Sequence, residues 1–132
     1  MNILITGSNG QLGNEMRVLS ATHPKHHYWF TDVVPAEGVE TLDICDKQAV
    51  AAFVEANAID LIVNCAAYTN VDKAEEDEAT ALKINAEALT VLGSQGIKVI
   101  HVSTDYVFSG DEHLPCRETD PVAPRTAYGR TK

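Results

Sequence analysis

Tyr128 and Lys132 stand four residues apart, about one helical turn, so a helix through them places both side chains on one face. A free tyrosine has a pKa of about 10 and is a poor proton donor or base at neutral pH until a nearby cation favours its phenolate. Lys132 can supply that cation. A Tyr-x-x-x-Lys string alone says little, but Ser103 and Thr104 follow an apolar run and so stand at the carboxyl end of a strand, where open α/β sheets bind their ligands. Upstream, Thr6-Gly7-Ser8-Asn9-Gly10-Gln11-Leu12-Gly13 spaces three glycines three apart. Glycine permits φ > 0 in a turn, lets backbone N–H groups approach phosphates, and here leads into a helix N-terminus with partial positive charge. A dinucleotide pyrophosphate needs all three properties. The spacing is GxxGxxG rather than the commoner GxGxxG, and the bland alternative is an ordinary strand-to-helix turn.

Asp32 lies nineteen residues past Gly13 at the end of an aromatic run, close to where an acid hydrogen-bonds the adenosine ribose in such folds. Asp43 ends a weaker run and is placed to meet the adenine side. Either acid also reads as a surface loop residue or a helix cap. No arginine follows Asp32 directly, which leans towards NAD(H) over NADP(H). Other reactive side chains carry blander readings. His23, His26 and His27 could bind a metal by spacing, yet an exposed loop is the simpler assignment. His101 reads as a packed core histidine, and Cys65 as a buried, inert thiol.

The elements that must position these groups follow from periodicity. Ile3-Leu4-Ile5-Thr6 predicts a strand, and Leu12, Met16 and Leu19 predict the buried stripe of a helix from Gln11. Tyr28 to Asp32 and Val39 to Asp43 predict two further strands. Ala49, Val50, Phe53 and Val54 line one helical stripe between Asp46 and Asn57, capped by Asp43 or Asp46. Leu61 to Ala66 is apolar on consecutive positions, as in a strand buried on both faces. The stretch from Asp72 to Gln95 predicts helix, with an acidic, solvated start, a stripe through Leu82, Ala86, Leu89 and Leu92, and Gly96 as a stop. Ile97 to Val102 predicts the fifth strand, the run to Pro124 a loop, and Thr126 to Lys132 a helix start held only by a few residues. Right-handed crossovers then give an α/β fold of the Rossmann type: a doubly wound parallel sheet covered on both faces, ending after its fifth strand, with residues 1–132 as one domain.

Composition narrows the classes. The chain has 132 residues with 10 Lys plus Arg against 19 Asp plus Glu, a formal charge of −9, which argues against nucleic-acid polymers and acidic membranes as partners. No run approaches the roughly 20 apolar residues of a bilayer span. The opening lacks a basic leader, and Cys45, Cys65 and Cys116 form no CxxC or disulfide framework, so reduced thiols and a cytoplasmic address are expected.

Together, the glycine loop Gly7 to Gly13, the string Asn64 to Glu75 (NCAAYTNVDKAE), Ser103 to Gly110 (STDYVFSG) and the Tyr128–Lys132 pair resemble the extended short-chain dehydrogenase/reductases, and within them the dTDP-4-dehydrorhamnose reductases. The resemblance spans the whole chain but only the family's cofactor-binding half. It implies NADPH or NADH as hydride donor to C4 of dTDP-4-dehydro-6-deoxy-L-mannose. Tyr128 would be the general acid, Lys132 would hold the nicotinamide ribose and tune Tyr128, and Thr104 would hydrogen-bond the substrate carbonyl, with Tyr106 near the sugar. Gly7, Asn9, Gly10, Gln11, Leu12, Gly13, Asp32, Asp43, Ile44, Ala66, Ala67, Tyr68 and Asn85 would join Tyr128 and Lys132 around the cofactor. Some members form dimers that bind Mg²⁺ through glutamates, one of which Glu15 matches. The 132 residues alone are expected to bind dinucleotide weakly and not to reduce sugar nucleotide. Rival readings are a related sugar-nucleotide epimerase or dehydratase, which returns its nicotinamide unchanged, and a non-catalytic dinucleotide-binding regulatory domain.

Overall fold

The computed structural model describes residues 1–111 and 115–132. Strands β1 (Asn2–Thr6), β2 (His27–Asp32), β3 (Glu40–Thr41), β4 (Leu61–Asn64) and β5 (Lys98–His101) form one parallel sheet in the order β3-β2-β1-β4-β5. Helices α1 (Gln11–Ser20), α2 (Lys47–Ala56), α3 (Val71–Glu76), α4 (Glu78–Leu82), α5 (Ala88–Gly93) and α6 (Ala127–Thr131) connect and flank it. This is the expected Rossmann-type α/β arrangement. Strand order reverses between β1 and β4, which creates the crevice where such sheets take ligands.

The core explains which face is firm. Alternate residues Leu4 of β1 and Ile62 of β4 are fully buried and pack with Val50 of α2 and Ala88 and Leu92 of α5. Burying each large aliphatic side chain stabilises the fold by about 1.5–3 kcal/mol. Right-handed crossovers through α2 and through α3 to α5 put all those helices on this face, leaving only the β1-to-β2 crossover, α1, for the other. On that second face Ile100 of β5 is 53% exposed.

Four local expectations need correcting. The strand expected over Val39 to Asp43 shrinks to Glu40–Thr41, and Asp43 instead turns its Oδ1 to the Cys45 N–H at 2.8 Å. In α1 the buried residue is Gly13, while Leu12 and Leu19 are exposed, because the helix docks on the preceding loop through its glycine rather than through an apolar stripe. In the long helical stretch the buried positions are Ala81, Asn85, Ala88 and Leu92, whereas Leu82 is 42% exposed. A π-helical turn spans Lys83–Glu87, and polar Asn85 within it faces inward, bonded to Tyr68 and Thr131. The last of these helices ends at Gly93, before Gly96. A 3₁₀ turn at Asp105–Val107 interrupts the expected loop, part of which, residues 112–114, lies outside the described residues.

Candidate active site

The glycine loop is shaped by its backbone contacts. Gly7 sits at φ +65°, and a Cβ there would stand 2.6 Å from Ala66 Cα; a Cβ on Gly13 would stand 2.6 Å from Ser8 Cα and closer still to the Gly7 carbonyl oxygen. Only glycine permits either approach. Ser8 fastens the loop to the sheet: its N–H donates to the Thr31 carbonyl at 3.0 Å, and its hydroxyl accepts from Thr31 N at 3.1 Å and donates to the Ile5 carbonyl at 2.9 Å. Gly10 is the N-cap of α1, with no side-chain cap, while Asp46 caps α2 and Asn70 caps α3. The first turn of α1 thus keeps its N–H groups for an anion.

Two cavities meet over this loop, at Gly10, Cys65, Ala66 and Ala67. The first, about 440 Å³, is lined by Gly7, Asp32, Asp43 and Ile44 as well as Cys45, Thr80, Lys83 and Ile84. Asp32 accepts from Asn9 N at 3.0 Å and from Val34 N at 3.1 Å, while Asn9 Nδ2 reaches the Val34 carbonyl at 2.6 Å. Asp32 and Asn9 thereby brace the rim. The second cavity, about 560 Å³, is lined by Gln11, Leu12, Glu15, Ser103, Tyr128 and Lys132. Residues predicted from opposite ends of the chain thus line adjoining cavities. The cradle that a Cβ would fill and the uncapped α1 terminus fit a dinucleotide's pyrophosphate at the join.

Helix α6 is positioned by contacts that sequence reading missed. Thr126 caps it through Gly129 N, Glu75 Oε1 accepts from Ala127 N at 2.7 Å, and Glu78 binds Arg130 through two hydrogen bonds. The acids of α3 and α4 are therefore not merely a solvated helix start. Gly129 passes so close to the Tyr106 carbonyl that a Cβ would collide with it. Buried Asn85 binds Tyr68 N and O at 2.8 and 3.1 Å and donates to Thr131 Oγ1 at 3.1 Å. These contacts dock a helix too short to persist unaided. The glutamates and Thr131 carry no sequence signal beyond their type.

Other expected residues border the cleft without lining it. Tyr68 packs with Ala74, Ala81 and Ala127. Thr104 Oγ1 donates to Asp105 Oδ1 at 3.2 Å and accepts from Tyr106 N, and the Tyr106 ring meets Tyr128 edge-on at 5.7 Å. Lys132 is half-buried, its Nζ donating to the Val102 carbonyl at 2.7 Å, and burial holds its pKa below the ordinary lysine value. Burial pushes the Cys65 thiol up, as it does Cys45 with help from Asp43, so both stay protonated and unreactive. Among the described residues no three His, Cys, Asp or Glu side chains gather as a metal site.

Residues 1–132 match the family described as the RmlD substrate binding domain. The chain belongs to this family. It is 44% identical over 138 residues to a protein of Streptomyces antibioticus named as a probable dTDP-4,6-dihydroxy-2-methyloxan-3-one 4-ketoreductase, covering 100% of this chain and 44% of that one. Its fold matches the crystal structure of a dTDP-4-dehydrorhamnose reductase from Clostridium acetobutylicum with a TM-score of 0.87 and 41% identity, over 99% of this chain and 46% of the other. A dTDP-4-dehydrorhamnose reductase from Bacillus anthracis in complex with NADP aligns with a TM-score of 0.82 and 31% identity, over 98% and 45%. The chain spans less than half the length of each of these relatives. No helix among the described residues is long and apolar enough to cross a membrane.

Proposed function

We propose that residues 1–132 form the dinucleotide-binding domain of a reductase that uses NADPH or NADH to reduce the C4 ketone of a dTDP-linked 6-deoxy sugar, with dTDP-4-dehydro-6-deoxy-L-mannose as substrate and dTDP-L-rhamnose as product. One observation carries the reading: Tyr128 and Lys132 line the same cavity as Gly10, Gln11 and Leu12. Proton donor and phosphate cradle thus line one cavity, which supports a dinucleotide lying between them. A bound reduced nicotinamide would supply the hydride. This chain's own residues do the rest: the α1 terminus binds the pyrophosphate, Asp32 accepts from the adenosine ribose, and Asp43 and Ile44 border the adenine. Lys132 holds the nicotinamide ribose and favours the Tyr128 phenolate. Tyr128 donates its proton to the C4 oxygen while Thr104 hydrogen-bonds it, and Tyr106 flanks the sugar. Further chain, as in the longer relatives, completes the sugar pocket and a homodimer. Mg²⁺ at such a dimer would draw on Glu15, which here faces the second cavity.

The relative from Streptomyces antibioticus is named for a different dTDP-linked ketone, which supports 4-keto reduction as the shared chemistry and makes the sugar the variable. The test is stoichiometry. A polypeptide of the relatives' length carrying this chain, given NADPH or NADH and dTDP-4-dehydro-6-deoxy-L-mannose, oxidises one nicotinamide per sugar reduced. A product formed with no net nicotinamide oxidation would establish the epimerase reading instead.

A further inference from the structure

A polar chain that the dinucleotide reading does not use runs beneath the second cavity across three strands. Thr6 of β1 donates its hydroxyl to Asn64 Oδ1 at 2.6 Å, and Ala66 N donates to the same oxygen at 3.2 Å. Both lone pairs of that oxygen are taken, so the amide cannot turn over without setting its NH₂ group against the Ala66 N–H. Asn64 Nδ2 therefore faces His101 Nδ1 of β5, at 3.0 Å. An NH₂ group only donates. Nδ1 is then the bare acceptor, and the ring carries its proton on Nε2. That Nε2 lies 3.5 Å from Lys132 Nζ.

We propose that Asn64 and His101 are a positioning pair for Lys132: the ring, fixed as its Nε2–H tautomer, meets Nζ with a proton instead of a lone pair, turning the ammonium onto the Val102 carbonyl and favouring its loss of a proton. The catalytic consequence rests on the reading of Tyr128 and Lys132 given above; the tautomer does not. In the step concerned, an N–H bond of the Lys132 ammonium breaks and the Tyr128 phenolate left by proton donation regains its O–H, directly or through an intervening hydroxyl. The new amine accepts the hydrogen bond from His101 Nε2–H, and water restores the ammonium. The imidazole keeps its proton throughout.

Other charged or titratable groups bear on Nζ. Glu15 of α1 and Cys65 after β4 line the same cavity, and Tyr128 stands one turn earlier on α6. As a carboxylate lining the same cavity, Glu15 favours the ammonium and so opposes His101. Burial, and after it the Lys132 charge, holds His101 below the ordinary histidine value, which agrees with a neutral ring.

The test is nitrogen and carbon NMR on the full-length reductase. Long-range ¹H–¹⁵N spectra read which His101 nitrogen bears the proton, and the ¹³Cε shift of Lys132 gives its titration midpoint. The expected result is a protonated Nε2 and a bare Nδ1 at neutral pH. Asn64→Asp, nearly isosteric, should move the proton to Nδ1 and raise the Lys132 midpoint, and His101→Phe should raise it by about half a pH unit or more. His101→Gln, whose amide can still donate to Nζ, should restore the parent value. A protonated Nδ1 in the parent, or a Lys132 midpoint unmoved in both His101→Phe and Asn64→Asp, overturns the proposal. In the full-length reductase the alkaline limb of kcat/KM should rise with the midpoint. A limb that stays while the midpoint moves refutes the catalytic consequence and the role given to Lys132, not the tautomer.

Discussion

Gly10 and Gly13 lie on one loop, yet substituting them should fail in opposite ways. A Cβ on Gly13 would stand 2.6 Å from Ser8 Cα and closer to the Gly7 carbonyl oxygen, so the backbone itself must yield. It cannot move freely, because Ser8 N donates to the Thr31 carbonyl at 3.0 Å and the Ser8 hydroxyl to Ile5. Overpacking of this kind costs about 1–3 kcal/mol or more, against which alanine's better helix propensity returns about 1 kcal/mol. Because the colliding atoms are backbone, the top of that range applies, and Gly13→Ala should lose about 2 kcal/mol net and melt on the order of 5–10 °C lower. Gly10 differs. Its φ of −74° and ψ of 172° suit any residue, a Cβ meets only the Gly7 carbonyl oxygen at 3.3 Å, and the position lines both cavities. Gly10→Val should keep the circular dichroism and melting temperature within a few degrees while weakening NADPH binding by about 100-fold or more, roughly 2.7 kcal/mol. Melting curves with calorimetric titration decide it. Unchanged NADPH affinity in a natively folded Gly10→Val, or an unaltered melting temperature in Gly13→Ala, would refute the reasoning.

In the full-length enzyme, Tyr128→Phe should keep cofactor affinity and lose about 10²–10⁴-fold in turnover, measured by NADPH oxidation; turnover within about threefold of the parent removes Tyr128 from the chemistry. Asn85→Leu strands Tyr68 N and O without their partner and frees Thr131 from α5's neighbour, so urea unfolding should show a loss of about 2–4 kcal/mol. The Arg130 guanidinium beside Glu78 holds that carboxyl below its ordinary value. Because the folded value is the lower one, the pair's contribution is complete above the ordinary glutamate range and disappears as pH falls through the lowered value. Melting temperatures of the parent and Glu78→Gln should accordingly differ at neutral pH and converge in acid.

The sheet was legible because its strands are short apolar runs punctuated by glycine or an acid, and parallel pairing follows from the crossovers between them. The glycine loop was legible for a similar reason: its spacing is a backbone requirement written directly as residue type. Reading failed where tertiary contact overrides pattern. In the long helical stretch a stripe of large apolar residues picks Leu82, where the fold buries Ala81 against Ala74 and Ala127 and Asn85 against Tyr68 and Thr131. The Leu12 and Leu19 stripe misleads because α1 docks through Gly13, the residue with no side chain to count. Glu75, Glu78 and Asn85 bond residues of α6 across about fifty positions of sequence, a separation at which no local pattern can announce a hydrogen bond. Asn64 and His101 were hidden similarly, as one polar residue each in an apolar strand.

Isotope transfer tests the central claim most directly. The full-length protein is given NADPH carrying deuterium at the transferable position of nicotinamide C4, with dTDP-4-dehydro-6-deoxy-L-mannose, and the product is read by mass spectrometry and proton NMR. The account predicts one deuterium at sugar C4 for each NADPH oxidised, and loss of that transfer in Tyr128→Phe and Gly10→Val. Reduced sugar without deuterium at C4, or deuterium transfer undiminished in both variants, would contradict it.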